Sequence, residues 1–279
     1  MPSGLFVGIA TVDVVHRVER PVARNEKVTA LAQEVAAGGP AANAAVTFAR
    51  LGGDATLVSA LGSHPLARFV ADELAGHGVT VRDAAPDVTV PPAVSAIQVV
   101  DGTGDRQVSS INAGAYWAFH PAEPPADLAD LGRDADVVLV DGHHPRLALA
   151  AARAGSSVVL DGGSWKPVTP ELLPLVDYAV CSAVFRHPDG VAPSALGVPH
   201  LAVTRGPDPV LWWSGGRAGE VPVPSVPVQD TLGAGDVFHG AFAYALAGGA
   251  SFVEALAEGA RVAALRCSVA GPRAWLERL

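Results

Sequence analysis

The sequence predicts an α/β fold built on a mostly parallel sheet. Short apolar segments alternate with longer helical segments through most of the 279 residues, which is the pattern of a parallel sheet covered by helices on both faces. Glycine-rich segments lie just ahead of two of these helices, and ligands on such sheets bind beyond the carboxyl ends of the strands. The hydrophobic content of 49% is ample for one core. We therefore expect residues 1–279 to form a single domain.

The predicted elements follow one another in the order expected for a parallel sheet with helical crossovers. Strands are predicted at Leu5 to Ala10, Thr56 to Leu61, Val137 to Val140, Val158 to Leu160, Tyr178 to Val180, and Leu201 to Thr204. Helices are predicted at about 41–51, 65–77, 144–154, 170–176, 234–248 and 252–268. Two β-rich segments, 14–37 and 93–112, interrupt the alternation. In the second, a turn from Asp101 to Asp105 separates two strand-like runs, which predicts a β-hairpin.

The most informative motif precedes the helix predicted at 234–248. Gly233 and Gly235 flank Ala234 and let the backbone turn so that several N–H groups point the same way, while the helix adds the positive end of its dipole. Such a site holds an anion, and Asp236 can face a hydroxyl that attacks a phosphoryl group. The motif therefore predicts phosphoryl transfer, although taken alone it is as compatible with a loop and a helix-capping Asp.

Two segments nearer the N-terminus are candidate binding elements. Gly38 and Gly39 precede Pro40, which fits a first helical turn, and Asn43 would lie one turn into that helix. Asp13 follows the first apolar strand. Taken alone, the glycines are also compatible with a turn that opens a buried helix, and Asp13 with a cap or a turn former.

These segments occur in the order found in one known family. The string Asp-Thr-x-Gly-Ala-Gly-Asp-x-Phe at residues 230–238 resembles the C-terminal signature of the ribokinase/PfkB carbohydrate kinase family, and the resemblance extends over nearly the whole chain. It implies a ribokinase-like three-layer α/β/α domain with a small β-sheet lid formed by segments 14–37 and 93–112. It also implies an ATP-dependent kinase in which Asp236 is the general base and the amides of Gly233, Ala234 and Gly235 form the anion hole.

The same resemblance assigns residues to the two substrates. The sugar would be bound by Asp13, Gly38, Gly39 and Asn43, with Lys27 and Asn112 approaching it from the lid. The chain lacks a Gly-x-x-x-x-Gly-Lys-Ser/Thr loop, and the family's ATP site uses other residues. By this resemblance, the ATP-binding residues would be Thr204, Gly206, Thr231, Gly233, Gly235 and Ala264. The resemblance further implies Mg²⁺, allows a monovalent cation, and implies a homodimer that pairs through the lid.

The chain departs from the family at one place. Many members carry an Asn-x-x-Glu motif for magnesium where this chain reads Cys181-Ser182-Ala183-Val184-Phe185-Arg186, so the magnesium ligands are not identified from the sequence. Ketohexokinase-like and sulfofructose-kinase-like members depart there too, and the segments Asp161-Gly162-Gly163 and Asp236 to Ala241 resemble theirs. We therefore expect a ketose, a sulfosugar or a related carbohydrate as substrate, and Lys27 and Asn112 could serve an anionic group on it.

Two other functions stay open at this point. A nucleoside kinase of the same family would need an aromatic or apolar surface for the base, for which Tyr116, Trp117 and Phe119 are candidates. A sugar- or nucleotide-binding regulatory protein with weak catalysis would agree with the missing magnesium motif. His143 and His144 could bind substrate or simply precede a helix, and no third ligand makes them a metal site.

Composition argues against several other classes. The formal net charge of -9 is unfavourable for binding nucleic acids or membrane surfaces, because both need a basic surface. The sequence has two cysteines, shows no signal-peptide pattern at its N-terminus and contains no apolar run of membrane-spanning length. We therefore expect a cytoplasmic enzyme whose partners are a small sugar, ATP and a second copy of itself.

Overall fold

Strands and helices alternate along most of the chain, as the sequence predicts. The computed structural model describes residues 1–112 and 122–279. The strands are β1 (Ser3–Val7), β2 (Thr11–Val18), β3 (Ala32–Gly38), β4 (Asp54–Ser59), β5 (Val79–Asp83), β6 (Val94–Val100), β7 (Arg106–Ser110), β8 (Val137–Val140), β9 (Val158–Gly162), β10 (Tyr178–Ser182), β11 (His200–Arg205), β12 (Asp208–Ser214) and β13 (Arg217–Val221). The helices are α1 (Pro40–Arg50), α2 (Pro65–Gly76), α3 (Leu128–Asp134), α4 (Pro145–Ala154), α5 (Thr169–Leu172), α6 (Ala234–Ala247) and α7 (Phe252–Cys267), with 3₁₀ turns at Leu173–Leu175, Pro193–Ala195 and Ala274–Arg278.

Nine strands form one large sheet in the order β13-β12-β11-β10-β9-β8-β1-β4-β5. The seven strands from β11 to β5 in this order are parallel to their neighbours, while β12 and β13 are antiparallel at one edge. The prediction of a mostly parallel sheet is therefore confirmed.

Helices cover both faces of this sheet. Strand β8 shows why, since it is buried throughout: Val137 and Leu139 pack in one core with α1, α2, α6 and α7, whereas Val138 and Val140 pack in the other with α3, α4 and α5. Side chains alternate between the faces of a strand, so a strand that is apolar at every position needs a helical layer on each side. The expected three-layer α/β/α arrangement is confirmed.

A separate four-stranded sheet, called the small sheet below, has the order β3-β2-β6-β7. Its strands fall mainly in the two β-rich segments of the sequence. The predicted hairpin is present, because β6 and β7 pair antiparallel across the turn at residues 101–105, closed by a bond from Val100 N to Asp105 O. Strand β2 pairs antiparallel with β3 and parallel with β6.

Chain connections bring the small sheet to the ends of the central strands. β2 begins four residues after β1 ends, and α1 begins two residues after β3 ends. α6 packs against α1, β1, β8 and β9. The first turns of α6 and α1 therefore lie near the small sheet, at the carboxyl ends of the central strands. Within the part of the chain that the structure describes, no helix has the length and apolar character needed to cross a bilayer.

Candidate active site

The loop that leads into α6, residues 230–235, is the predicted anion-binding site and is called the anion-binding loop below. Gly233 precedes the helix with a φ of 69°, a left-handed conformation that glycine adopts without strain. Asp230 holds the loop in place, because its carboxylate accepts hydrogen bonds from Leu232 N at 2.9 Å and from Gly271 N at 3.1 Å. Ala234 N donates to Thr231 O at 3.3 Å, and Gly235 is exposed. The backbone amides in the first turn of a helix have no intrahelical partner, which makes this end of α6 suited to bind an anion.

Asp236 lies in this first turn and is held by a side chain from α1. Its Oδ2 accepts from Asn43 Nδ2 at 2.8 Å. Burial and the nearby negative charge of Asp161 raise the pKa of Asp236 to about 6, while the Asn43 hydrogen bond opposes that rise. A carboxylate with a pKa close to neutrality is suited to accept a proton near physiological pH.

The glycine pair before α1 explains how Asp13 is placed. A Cβ at Gly38 would lie 2.0 Å from Asp13 Oδ2, so only glycine leaves room for this carboxylate. Gly39 has a φ of 96°, and a Cβ there would lie 2.4 Å from Ile9 O. Thr11 Oγ1 donates to Asp13 Oδ1 at 2.7 Å, and burial raises the pKa of Asp13. The two glycines thus let β3 pass the aspartate and turn directly into α1.

Several of these residues line one cavity. Asp13, Asn43 and Gly233 line it together with two residues of the C-terminal tail, Arg273 and Trp275. The structure therefore brings Asp13, Gly38, Gly39, Asn43, Gly233, Ala234, Gly235 and Asp236 into one region. Arg273 has no place in any motif discussed above, and only its spatial position identifies it.

A buried contact between His239 and Asp161 lies next to Asp236. His239 Nδ1 is 2.8 Å from Gly235 O and 3.4 Å from Asp161 Oδ2, and Nε2 is 3.0 Å from Val180 O. Asp161 Oδ1 accepts from Gly163 N at 3.1 Å, whereas Oδ2 accepts no hydrogen bond. Both ring nitrogens thus face acceptors, and the ring ties α6 to β9 and β10 directly below the anion-binding loop.

A second buried pair joins the loop to α7. Arg266 is 1% exposed, and its Nη2 lies 3.2 Å from Asp230 Oδ2. Its Nη1 donates to Val269 O at 2.9 Å and to Asp230 O at 3.4 Å. The guanidinium thus lies among one carboxylate and two carbonyl oxygens beside the loop.

The small sheet contacts the anion-binding loop at Thr231 and Leu232. Thr231 N and Oγ1 donate to Gly104 O at 3.2 and 2.8 Å, and Arg106 Nη1 donates to Thr231 Oγ1 at 3.1 Å. Arg17 pairs with Asp101 at 3.0 Å. Leu232 packs against one face of the sheet, on Val15, Ile97 and Val99. Thr231, expected at the ATP site, is in this structure a link between the loop and the small sheet.

The remaining predicted residues lie apart from the cavity. Lys27 and Asn112 are exposed, one between β2 and β3 and the other after β7. Thr204 is near the end of β11, with Oγ1 3.4 Å from Cys181 O, and Gly206 forms the turn that follows with a φ of 64°. Ala264 is buried in α7. Tyr116, Trp117 and Phe119 lie outside the described residues. These assignments stay predictions.

The two histidines after β8 differ in their surroundings. Asp141 accepts from Ile9 N at 2.9 Å, and its Oδ1 lies 3.2 Å from His143 Nδ1. Although burial opposes it, the contacts with His143 lower the pKa of Asp141 to about 2. His144 precedes α4, and burial lowers its pKa to about 4. In residues 1–112 and 122–279 no group of three His, Cys, Asp or Glu side chains could hold a metal ion.

Comparisons with known proteins agree with this geometry. The sequence model of the pfkB family carbohydrate kinases matches residues 1–278. A ribokinase of Arabidopsis thaliana is 29% identical, covering 97% of this chain and 77% of its own length. A 2-dehydro-3-deoxygalactonokinase of Haloferax volcanii is 31% identical, covering 87% of this chain and 85% of its own. The structure of Arabidopsis thaliana ribokinase with ribose and ATP superposes with a TM-score of 0.77 at 25% identity, covering 99% of this chain and 97% of that one.

Proposed function

We propose that this chain, which belongs to the pfkB family of carbohydrate kinases, transfers the γ-phosphoryl group of ATP to a hydroxyl of a small sugar. The observation that carries the proposal is the placement of Asp236, in the first turn of α6 and bonded to Asn43 at 2.8 Å. Asp236 thereby adjoins the anion-binding loop and is bonded to Asn43, which lines one cavity with Asp13. Phosphoryl transfer needs these two parts side by side.

The proposed mechanism gives each group one task. Asp13 and Asn43 hold the sugar so that the reacting hydroxyl faces Asp236. Asp236 accepts the hydroxyl proton as the oxygen attacks the γ-phosphorus, and ADP leaves with the electrons of the broken phosphorus–oxygen bond. The amides of Gly233 and Gly235 stabilise the negative charge on the phosphoryl oxygens during the transfer, whereas the Ala234 amide donates to Thr231 O in this structure.

Asp161 supports a role for Mg²⁺ in this reaction. Mg²⁺ prefers oxygen ligands and is commonly held by one or two carboxylates together with substrate phosphates. Asp161 provides a buried carboxylate oxygen that accepts no hydrogen bond, with His239 Nδ1 3.4 Å away, and the negative charge of Asp161 raises the pKa of Asp236. We propose that Asp161 takes the part that an Asn-x-x-Glu motif has in many relatives. When bound, Mg²⁺ would neutralise charge on the phosphates of ATP.

A monovalent cation does not fit the oxygens beside the anion-binding loop. The Asp230 carboxylate and the carbonyls of Asp230 and Val269 are an oxygen set that could hold one, but the Arg266 guanidinium already lies among them. We therefore propose that Arg266 supplies the positive charge there and that no added cation is needed.

The substrate class rests on the relatives. The two curated relatives reported above are a ribokinase and a 2-dehydro-3-deoxygalactonokinase, which supports a monosaccharide or a sugar acid. The earlier expectation of a ketose or a sulfosugar belongs to the same class. A nucleoside substrate has as its candidate residues Tyr116, Trp117 and Phe119, which lie outside the described residues. A regulatory protein with weak catalysis is disfavoured by the intact pairing of Asn43 and Asp236.

ATP as donor and two cysteines without a disulfide support a cytoplasmic location.

A panel assay tests the proposed function. ADP release would be measured by a coupled assay with ribose, ketoses, sulfosugars, sugar acids and nucleosides, each with and without Mg²⁺. We expect turnover with at least one sugar or sugar acid and no turnover without the metal. Turnover with nucleosides alone would establish the alternative, and binding of a sugar without turnover would establish the regulatory protein.

We also propose that the small sheet is a lid and pairs with the lid of a second subunit. The small sheet exposes apolar side chains on the two strands that flank β2, including Val35 of β3 and Val94 of β6, and exposed apolar surface is typical of interfaces. Hydrogen exchange with and without sugar, beside a sedimentation measurement, tests both parts. We expect sugar to protect segments 14–37 and 93–112. Equal protection in both states would exclude the lid, and a monomer at micromolar concentration would exclude the pairing.

A further inference from the structure

Arg273 joins three separate parts of the chain at the cavity. Its Nη1 donates to Asn43 Oδ1 at 2.9 Å, its Nη2 to Ala37 O at 2.6 Å, and its Nε to Glu73 Oε1 at 3.1 Å. These partners belong to α1, β3 and α2, whereas Arg273 itself lies in the tail after α7. Every nitrogen of the guanidinium is therefore engaged by a partner of fixed position.

The contact with Asn43 determines which way the amide of that residue faces. A guanidinium can only donate hydrogen bonds, so it accepts only the Oδ1 side of the amide as its neighbour. The Nδ2 side is then turned to Asp236 Oδ2, which can only accept when ionised. With the amide reversed, two donors would face each other at Arg273 and two acceptors at Asp236.

Glu73 holds Arg273 in the orientation that this contact needs. Glu73 Oε1 accepts from Arg273 Nε, and Glu73 Oε2 accepts from Ala37 N at 2.5 Å. Burial lowers the pKa of Arg273, and the negative charge of Glu73 opposes that shift. The chain Glu73–Arg273–Asn43–Asp236 is thus continuous from the last turn of α2 to the first turn of α6.

We propose that Arg273 is a positioning residue for phosphoryl transfer: it fixes the Asn43 amide so that Nδ2 always donates to the carboxylate that accepts the substrate proton. The proposal rests on the proposed role of Asp236 as the base. Arg273 need not touch the sugar or ATP for this role.

The charged groups around Asp236 make the effect of Arg273 measurable. Asp236 is faced by Asp161 from β9, Asp13 from β2, His239 on its own helix and the Asn43 amide from α1. Replacing Arg273 alters the Asn43 contact directly and also removes a positive charge that acts on Asp13. Arg273→Met should therefore raise the pH at which Asp236 ionises, whereas Arg273→Lys keeps the charge but cannot bind three partners at once.

The first measurement is a ¹³C titration of the Asp236 carboxyl, assigned by the loss of its signal in Asp236→Asn. We expect Arg273→Met to move the midpoint upward by about one pH unit. Arg273→Lys should move the midpoint in the same direction, because the amide is held by the geometry of the guanidinium and not by its charge alone. Asn43→Ala should give a shift similar to that of Arg273→Met, and the double variant should shift no further, because both remove one interaction.

The second measurement is the pH dependence of kcat. A shift of about one unit lowers the ionised fraction at pH 6 about fivefold and at pH 8 by only about a tenth. Arg273→Met should therefore lose much more activity at pH 6 than at pH 8. Glu73→Gln should show a smaller change in the same sense, and it keeps the proposal testable if Arg273→Met does not fold.

Arg50→Met is the matched control. Arg50 of α1 also binds the tail, with Nε donating to Leu276 O at 2.9 Å, so this variant loosens the tail without removing a partner of Asn43. An unchanged ¹³C midpoint in Arg273→Met and Glu73→Gln, or an equal shift in Arg50→Met, would overturn the positioning role. A shifted midpoint that the kcat profile does not follow would instead overturn the role of Asp236 as base.

Discussion

Replacing Asp236 by Asn tests the base directly, because it changes the chemistry of one side chain while keeping its shape. In the structure Asp236 Oδ2 accepts from Asn43 Nδ2 at 2.8 Å, and the amide oxygen of an Asn at 236 can accept the same bond. The Asn cannot take a proton from the substrate hydroxyl. We expect folding and sugar binding to be kept and turnover to be lost.

The size of the loss follows from the role of the group. Removing a general base slows a reaction by about 10²–10⁴-fold, which corresponds to about 2.7–5.4 kcal/mol of transition-state stabilisation. The thermal stability should not fall, because the substitution also removes a carboxylate whose pKa is raised by burial and by Asp161. An enzyme that is inactive and no less stable than the wild type would separate catalysis from folding.

The assay is coupled ADP release with the best sugar, run beside calorimetric titration of that sugar and a thermal melt. Asp87→Asn, an exposed site in a turn, serves as the matched control and should behave as wild type. If Asp236→Asn kept more than about a tenth of the wild-type kcat, Asp236 would not be the base and the proposed mechanism would be wrong.

Three further predictions use the same protein and assay. Asp13→Ala should weaken sugar binding about 10- to 150-fold, because a hydrogen bond to a charged group is worth about 1.5–3 kcal/mol; an unchanged dissociation constant in calorimetry would make Asp13 merely structural. The kcat/KM of the wild type should rise with pH through a midpoint near 6 and stay level above it, because the base must be ionised and its pKa is raised to about 6; a profile that is flat down to pH 4.5 would contradict this. Activity should be the same in potassium buffers and in tetramethylammonium buffers, since Arg266 fills the oxygen set beside the loop, and a strong requirement for potassium would refute that assignment.

The parts of the fold that the sequence predicts are those with a strong local pattern. Strands β8 and β9 are short apolar runs buried on both faces, and α7 begins with a capping box formed by Ser251 and Glu254. Strands β5 and β13 escape prediction because each has only five residues, two of them charged, at an edge of the sheet. So short a segment without a sustained apolar or alternating pattern is weak evidence for a strand.

The residues of the candidate site also differ in whether a local sequence pattern identifies them. Asp13, Asn43 and Asp236 adjoin glycines that the backbone needs for a stated steric reason, and such glycines form recognisable motifs. Arg273 and Glu73 carry no such mark, because they are 200 positions apart and their relation exists only after the tail packs beside α2. Residues that act through another side chain leave no local pattern, which is why only the three-dimensional structure identifies them.

The small sheet is attached to the rest of the protein at two places. One end continues into β1 and α1, and the other is bonded to the loop before α6, where Thr231 donates twice to Gly104 O and accepts from Arg106 Nη1. Leu232, the next residue, packs on Val15, Ile97 and Val99 of the same sheet. Thr231 and Leu232 directly precede Gly233. Any displacement of the small sheet would therefore also displace the backbone that leads into the first turn of α6.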